Sequence, residues 1–365
     1  MILMILHRLL LALFLFIALA SRAGAADTFD WRLPPRMPPP PVPTDNPMSA
    51  SKVELGRRLF YDIRLSGPGC MSCATCDQQN RGFADDKRVP IGITGEHHHR
   101  NSMGLSIVAY FKTLTWANSL ERHLELQLRR PLFRTKPVEM GSLGHEQAIV
   151  DLLSSNSVYR RLFEESFPET DGRIDFTGIG KAIAAFQRTL ISARSPFDRY
   201  RYGGDASAIT IAAKRGEKLF FGDTLKCAQC HQGVHFTDAA SSTQYHNTGL
   251  YNVDGSGGLP ARDQGLFDVT NKPEDMERFR TPSLRNIAVT APYMHDGSIA
   301  TLSKVIDHYA AGGRAAQSGM PSPLRSLHVT GFRLADNEKA DLIAFLKSLT
   351  DPEFLNDPGL SSPFR

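Results

Sequence analysis

The placement of the cysteines constrains this chain more than any other feature. Cys227-Ala228-Gln229-Cys230-His231 is a complete c-type haem attachment motif. Two thiols are spaced to form thioethers with one porphyrin edge, and an imidazole follows to bind iron from one face. A zinc half-site or a redox pair would need the cysteines but not the adjoining His. Cys73-Ala74-Thr75-Cys76 repeats the spacing, yet Asp77 follows it where a His should stand. Cys70 is the odd thiol of five. Such clustering suits attachment chemistry better than disulfides clamping distant segments.

The two motifs sit in related surroundings. VELGRRLFYDIRLS (53–66) precedes the first and AAKRGEKLFFGDTLK (212–226) the second, which aligns Gly56, Leu59 and Phe60 with Gly216, Leu219 and Phe220. Each unit closes with an amphipathic pattern. Residues 179–193 place Ile183, Phe186, Leu190 and Ile191 near one face, and residues 337–349 do so with Leu342, Phe345, Leu346 and Leu349. Strand signals are weak. The expected fold is mainly α, with two cytochrome c-like domains, long loops, and cores centred on haem. Residues 51–195 form the N-terminal domain and 206–365 the C-terminal one, joined by a linker over 196–205.

The N-terminus predicts export. Arg8, an apolar run from Leu9 to Ala20, and the small residues Ala23-Gly24-Ala25 read as a signal peptide over 1–25. The run has 12 residues, short of the ~20 that span a bilayer. The mature protein is therefore expected in the periplasm without a stable membrane span. A proline-rich leader covers 26–50 and reads as an extended arm outside the core. Residues 1–25 hold Arg8, Arg22 and no acid, so their removal takes the formal charge from +4 to +2. That balance, with no basic cluster, argues against a nucleic-acid partner.

LGRRLFYDIRLSG, SCATC, RNSMGLSIVAYFKTLTWAN, AIAAFQRTLISARSPFDRYRYGGD, CAQCH and FRTPSLRNIAVTAPYMHDGSIATL occur in this order. In these runs the chain resembles the di-haem cytochrome c peroxidase and MauG family, and within it the MbnH-type branch. The resemblance implies two c-type haems, on Cys73 and Cys76 and on Cys227 and Cys230. The first is the hydrogen peroxide site and the second an electron reservoir. It also implies His231 and Tyr309 as ligands of the second iron, with His308 a neighbouring competitor. Trp116 matches a tryptophan lying between the haems, whereas Trp31 in the leader is a poor relay candidate. Gln127, Pro131 and Glu139 match the peroxide pocket. There Glu139 would take a proton from bound peroxide and return it to the leaving oxygen. Asn101, Thr290 and Pro292 match a calcium site, the last two through backbone oxygens. The run His97-His98-His99 reads as a solvated loop, although some peroxidases carry a switchable haem ligand there.

Asp77 departs from the family at the first haem's proximal ligand. Four outcomes stand open: Asp77 binds iron itself, an outside residue such as one from the His97–His99 loop replaces it, attachment fails, or the sequence is wrong at one base. The resemblance implies a peroxidase-type oxidoreductase that uses hydrogen peroxide to oxidise a protein side chain, a partner tryptophan, with an MbnP-like protein as one such partner. One alternative is a cytochrome c peroxidase drawing on a small electron-donor protein, which Tyr309 argues against because those enzymes use Met. Another is a mono-haem electron-transfer protein or pseudoenzyme, which Asp77 favours.

Overall fold

The computed structural model describes residues 29–34, 37–255, 257–258, 260 and 263–364. The expected signal peptide, residues 1–25, lies outside them. The longer helices are α1 (Ala50–Tyr61), α2 (Glu146–Ser155), α3 (Ser157–Ser166), α4 (Phe176–Arg188), α5 (Pro196–Tyr202), α6 (Ile211–Phe221), α7 (Leu302–Ala310) and α8 (Asp336–Ser348). Among the described residues the only β pairing is isolated bridges, such as Gln78 with Ala84 and Tyr293 with Ile299. The molecule is thus mainly helical with cytochrome c-like domains, as the sequence predicts.

The internal echo becomes one helix crossing made twice. Ser49 caps α1 by accepting from the Lys52 amide, and Asp175 caps α4 by accepting from the Gly178 amide. The two helices meet at Gly56, where a Cβ would lie 1.9 Å from the Ala182 carbonyl oxygen. One turn on, Phe60 packs on Phe186 with ring centroids 5.2 Å apart. In the second half α6 meets α8 at Gly216, where a Cβ would lie 2.0 Å from the Asp341 carbonyl oxygen. Phe220 then packs on Phe345 at 5.0 Å. Only glycine permits backbones so close, and each crossing lays an aromatic pair beside its Cys-x-x-Cys turn.

Three segments differ from expectation. The pattern over 179–193 is helical only to Arg188. Beyond it the chain turns so that the Ser192 hydroxyl and the Ala193 and Arg194 amides donate to the Asp351 carboxylate at 3.1, 3.0 and 2.8 Å. The expected linker contains a capped helix, α5, whose Phe197 enters the second core and whose Asp198 pairs with Arg285 at 2.8 Å. Burial of an aromatic ring and a buried ion pair draw this segment inward. The leader is not a free arm either. Asn46 is buried and donates to Glu125 and to the Lys181 carbonyl at 2.8 and 3.0 Å, and Met48 is buried too.

The end of the chain returns to the first half. Phe354 and Leu360 belong to the core formed by Leu55, Phe60, Phe83 and Phe186. Gln79 donates to the carbonyls of Phe354 and Asp357, and the Tyr61 hydroxyl donates to that of Leu360.

Candidate cofactor and active site

The C-terminal site is built on a single 3-10 turn, Cys227–Gln229, in which the Cys230 and His231 amides donate to the Cys227 carbonyl at 3.3 and 2.9 Å. This turn brings Cys227, Cys230 and His231 to the wall of one cavity, lined largely by apolar side chains. His231 Nδ1 lies 3.1 Å from the Phe236 carbonyl. A carbonyl only accepts, so Nδ1 carries the proton and Nε2 keeps a free lone pair, the tautomer a metal needs. Burial pushes the His231 pKa down, which keeps the ring neutral.

Tyr309, from α7, lines the same cavity. Burial, then the Cys230 and Cys227 sulfurs, push its phenol pKa upward. His308 beside it has both nitrogens engaged: Nε2 donates to the Thr248 carbonyl and Nδ1 accepts from the Arg314 amide, each at 3.0 Å. Between these neighbours, the phenol alone is free to face a metal.

The N-terminal site repeats the turn over Cys73–Thr75, with the Cys76 and Asp77 amides donating to the Cys73 carbonyl at 3.2 and 3.0 Å. Its backbone therefore presents residue 77 as the other presents His231, and Asp77 lines a second cavity with Cys73 and Cys76. Burial, with Glu139 and Asp85 adding, holds the Asp77 carboxyl pKa well above its usual range. Glu139, Gln127 and Pro131 line the same cavity. Burial pushes Glu139 up to about 7, against the pull of Arg134.

The loop expected to be solvated is so at His97 and His99, whereas His98 turns in. His98 Nε2 is buried without a hydrogen-bond partner, 3.7 Å from a Glu139 carboxylate oxygen. Burial pushes His98 down to about 4, so the ring is neutral and the contact is no ion pair. Nothing in the run His97-His98-His99 distinguishes the middle residue.

Trp116 lines both cavities, and its indole N–H donates to the Asn101 carbonyl at 2.8 Å. Trp31 lines neither and packs edge-on against Phe29 at 4.9 Å. Asn101, Thr290 and Pro292 meet in a third, smaller cavity beside Trp116. The Asn101 amide nitrogen donates to the Lys87 and Arg88 carbonyls, leaving its amide oxygen free. Neutral oxygens suit calcium, but Arg280 and Arg285 line this cavity as well.

Sequence reasoning missed two groups. His246 lines the C-terminal cavity, 2.6 Å from Asp238. Burial would lower its pKa, but hydrogen bonds to Asp238 and Cys230 override that and hold it at about 10. The other is Arg280, which lines all three cavities. Neither has a spacing that marks it, because each is brought in by loops.

The two donor sets differ in how well they suit haem. The C-terminal cavity fits it: two thiols on one turn, a neutral imidazole with Nε2 free, and a phenol on the wall. The N-terminal cavity fits covalent attachment but offers an acid where iron expects a nitrogen.

Two Cys-x-x-Cys turns at paired helix crossings, with one tryptophan in the wall of both cavities, define a two-centre c-type cytochrome. Family models agree: the di-haem cytochrome c peroxidase model matches residues 50–207 and the cytochrome c model residues 213–350. The chain is 34% identical to cytochrome-c peroxidase IdrP1 of Denitromonas iodatirespirans, over 96% of each chain. It is 35% identical to methylamine utilization protein MauG of Methylorubrum extorquens, over 88% of this chain and 84% of that one. Among solved structures, a MauG-like protein associated with microbial copper homeostasis superposes with a TM-score of 0.88 at 46% identity, covering 92% of this chain and all of that one. The chain belongs to the di-haem cytochrome c peroxidase and MauG family and is an oxidoreductase of the peroxidase type.

Proposed function

We propose that this protein uses hydrogen peroxide to oxidise a side chain, a tryptophan, of a partner protein in the periplasm. Haem at each site would supply iron that accepts oxidising equivalents from peroxide. Around it, the chain's own groups divide the work. Glu139, with a pKa near 7, takes the proton from one peroxide oxygen and returns it to the departing one. Gln127 and Pro131 shape the cavity that receives peroxide. Trp116 touches both cavities, so its indole is the side chain suited to carry an electron between them. His231 and Tyr309 would hold the second iron, and Asn101, Thr290 and Pro292 would supply oxygens to a calcium ion.

The observation that carries this reading is Tyr309 in the C-terminal cavity while His308 is committed elsewhere. A phenolate is a hard anionic donor that favours oxidised iron, which suits a store of oxidising power better than a thioether does. The test combines haem counting by alkaline pyridine with mass spectrometry of a candidate partner mixed with protein and peroxide. Two haems per chain and an oxidised partner tryptophan support the reading. Turnover only with a small reduced cytochrome would replace it with simple peroxide removal. A second reading, one haem and electron transfer alone, is favoured by Asp77 and would follow from a count of one.

A further inference from the structure

Among the described residues three arginines are almost wholly buried: Arg188, Arg280 and Arg285, at 4, 3 and 2% exposure. Two have a carboxylate. Arg188 pairs with Glu125 at 2.7 Å, and Arg285 with Asp198 at 2.8 Å. Arg280 makes no ion pair among the described residues. Its guanidinium donates to neutral acceptors, the carbonyls of Thr115 and Thr281 at 2.9 and 3.4 Å and the Met103 sulfur at 3.3 Å. It also lies over the Phe111 ring, 4.1 Å from the centroid. Asp238, a nearby acid, is held by His246 at 2.6 Å. Burial lowers the Arg280 pKa only to about 10, so the group remains a cation at neutral pH. A buried charge without a counter-charge is strongly unfavourable, which calls for an anion from outside the chain.

Its position says where that anion comes from. The Arg280 amide donates to the Trp116 carbonyl at 2.7 Å, and the residue lines the Cys227–His231 cavity, the Cys73–Asp77 cavity and the smaller cavity beside Trp116. Each larger cavity carries a Cys-x-x-Cys pair in its wall to attach a porphyrin, whose edge carries carboxylates. A guanidinium, with its forked donors, is well suited to such groups.

We infer that Arg280 is a counter-cation shared by the two cofactor pockets, pairing with porphyrin carboxylates in each. The inference rests on the two-haem reading. It makes Arg280 a positioning and electrostatic residue that couples the two centres through one charge. Removing that charge stabilises the oxidised form of both haems, so both reduction potentials fall.

The test is spectroelectrochemical titration of the holoprotein and of Arg280→Gln and Arg280→Lys, with haem counted in each. Arg280→Gln should lower both potentials together, and Arg280→Lys, which keeps the charge, should restore most of both shifts. Resonance Raman spectra of Arg280→Lys provide a second readout should the Gln variant fail to fold. The propionate bending bands of both haems should move, because an ammonium cannot reproduce the fork. A shift at one haem only, or at neither, overturns the inference while leaving the two-haem reading intact. A count of one haem in the unchanged protein overturns both.

Discussion

The two attachment sites have the same backbone and different chemistry. In each, a 3-10 turn closes on the first cysteine's carbonyl and presents the residue after the second cysteine to a cavity. At the C-terminal site that residue is a neutral imidazole oriented by the Phe236 carbonyl, in an apolar wall. At the N-terminal site it is a carboxyl, which shares its cavity with Glu139 and with Arg100, Arg130 and Arg134. The fold thus specifies where a ligand stands, and the side chain alone decides whether it can serve. The backbone hydrogen bonds of the turn form with either His or Asp at this position.

The sharpest way to break the comparison is to remove the surviving imidazole. His231→Ala should abolish the C-terminal haem's ferric spectrum as observed in the parent, an effect beyond the ~10–100-fold that loss of an outer-shell partner brings. Asp77→Ala should leave the C-terminal spectrum unchanged, read by the same absorption spectroscopy. Next in size is Glu139→Gln, expected to slow the stopped-flow reaction with peroxide by ~10²–10⁴-fold. The sign of its pH dependence follows from a raised carboxyl. The proton-accepting form grows as pH rises through about 7, so the parent's rate climbs there and the variant's stays flat.

Asp77→His restores the symmetry of the two turns. The peroxide rate should rise by ~10-fold or more, on the scale of tuning a metal's ligand set, and an unchanged rate would mean that Asp77 is no impairment. The smallest effects test the scaffold. Gly56→Ala and Gly216→Ala would each press a methyl into a carbonyl of the facing helix. Each should cost about 1–3 kcal/mol or somewhat more by overpacking, read as matched losses in thermal midpoint. Unequal losses would show that the two crossings are not equivalent.

Much of this was legible in the sequence because it is local. The Cys-x-x-Cys turns, and the register of Gly56 with Gly216 and of Phe60 with Phe220, lie in short continuous runs, and the crossings follow from them. The gathering of Trp116, Gln127, Pro131, Glu139 and Tyr309 at the cavities was legible only through resemblance, since no spacing links residue 116 to residue 309. What escaped is set by tertiary packing. The inward turn of His98 is invisible in a run of three identical residues. So is the role of α5, where a string rich in Arg, Tyr and Gly reads as a connector until Phe197 and Asp198 find partners. Arg280 escaped for the same reason: its meaning lies in the carboxylate it lacks.

The returning tail also has a consequence for biogenesis. Ribosomes build from the N-terminus, yet Phe354 and Leu360 finish the hydrophobic packing beneath the first attachment turn, and Gln79, three residues beyond Cys76, is held by carbonyls at 354 and 357. The lobe made first is therefore closed last. Until the final stretch emerges, the core against which Cys73 packs lacks two of its buried side chains.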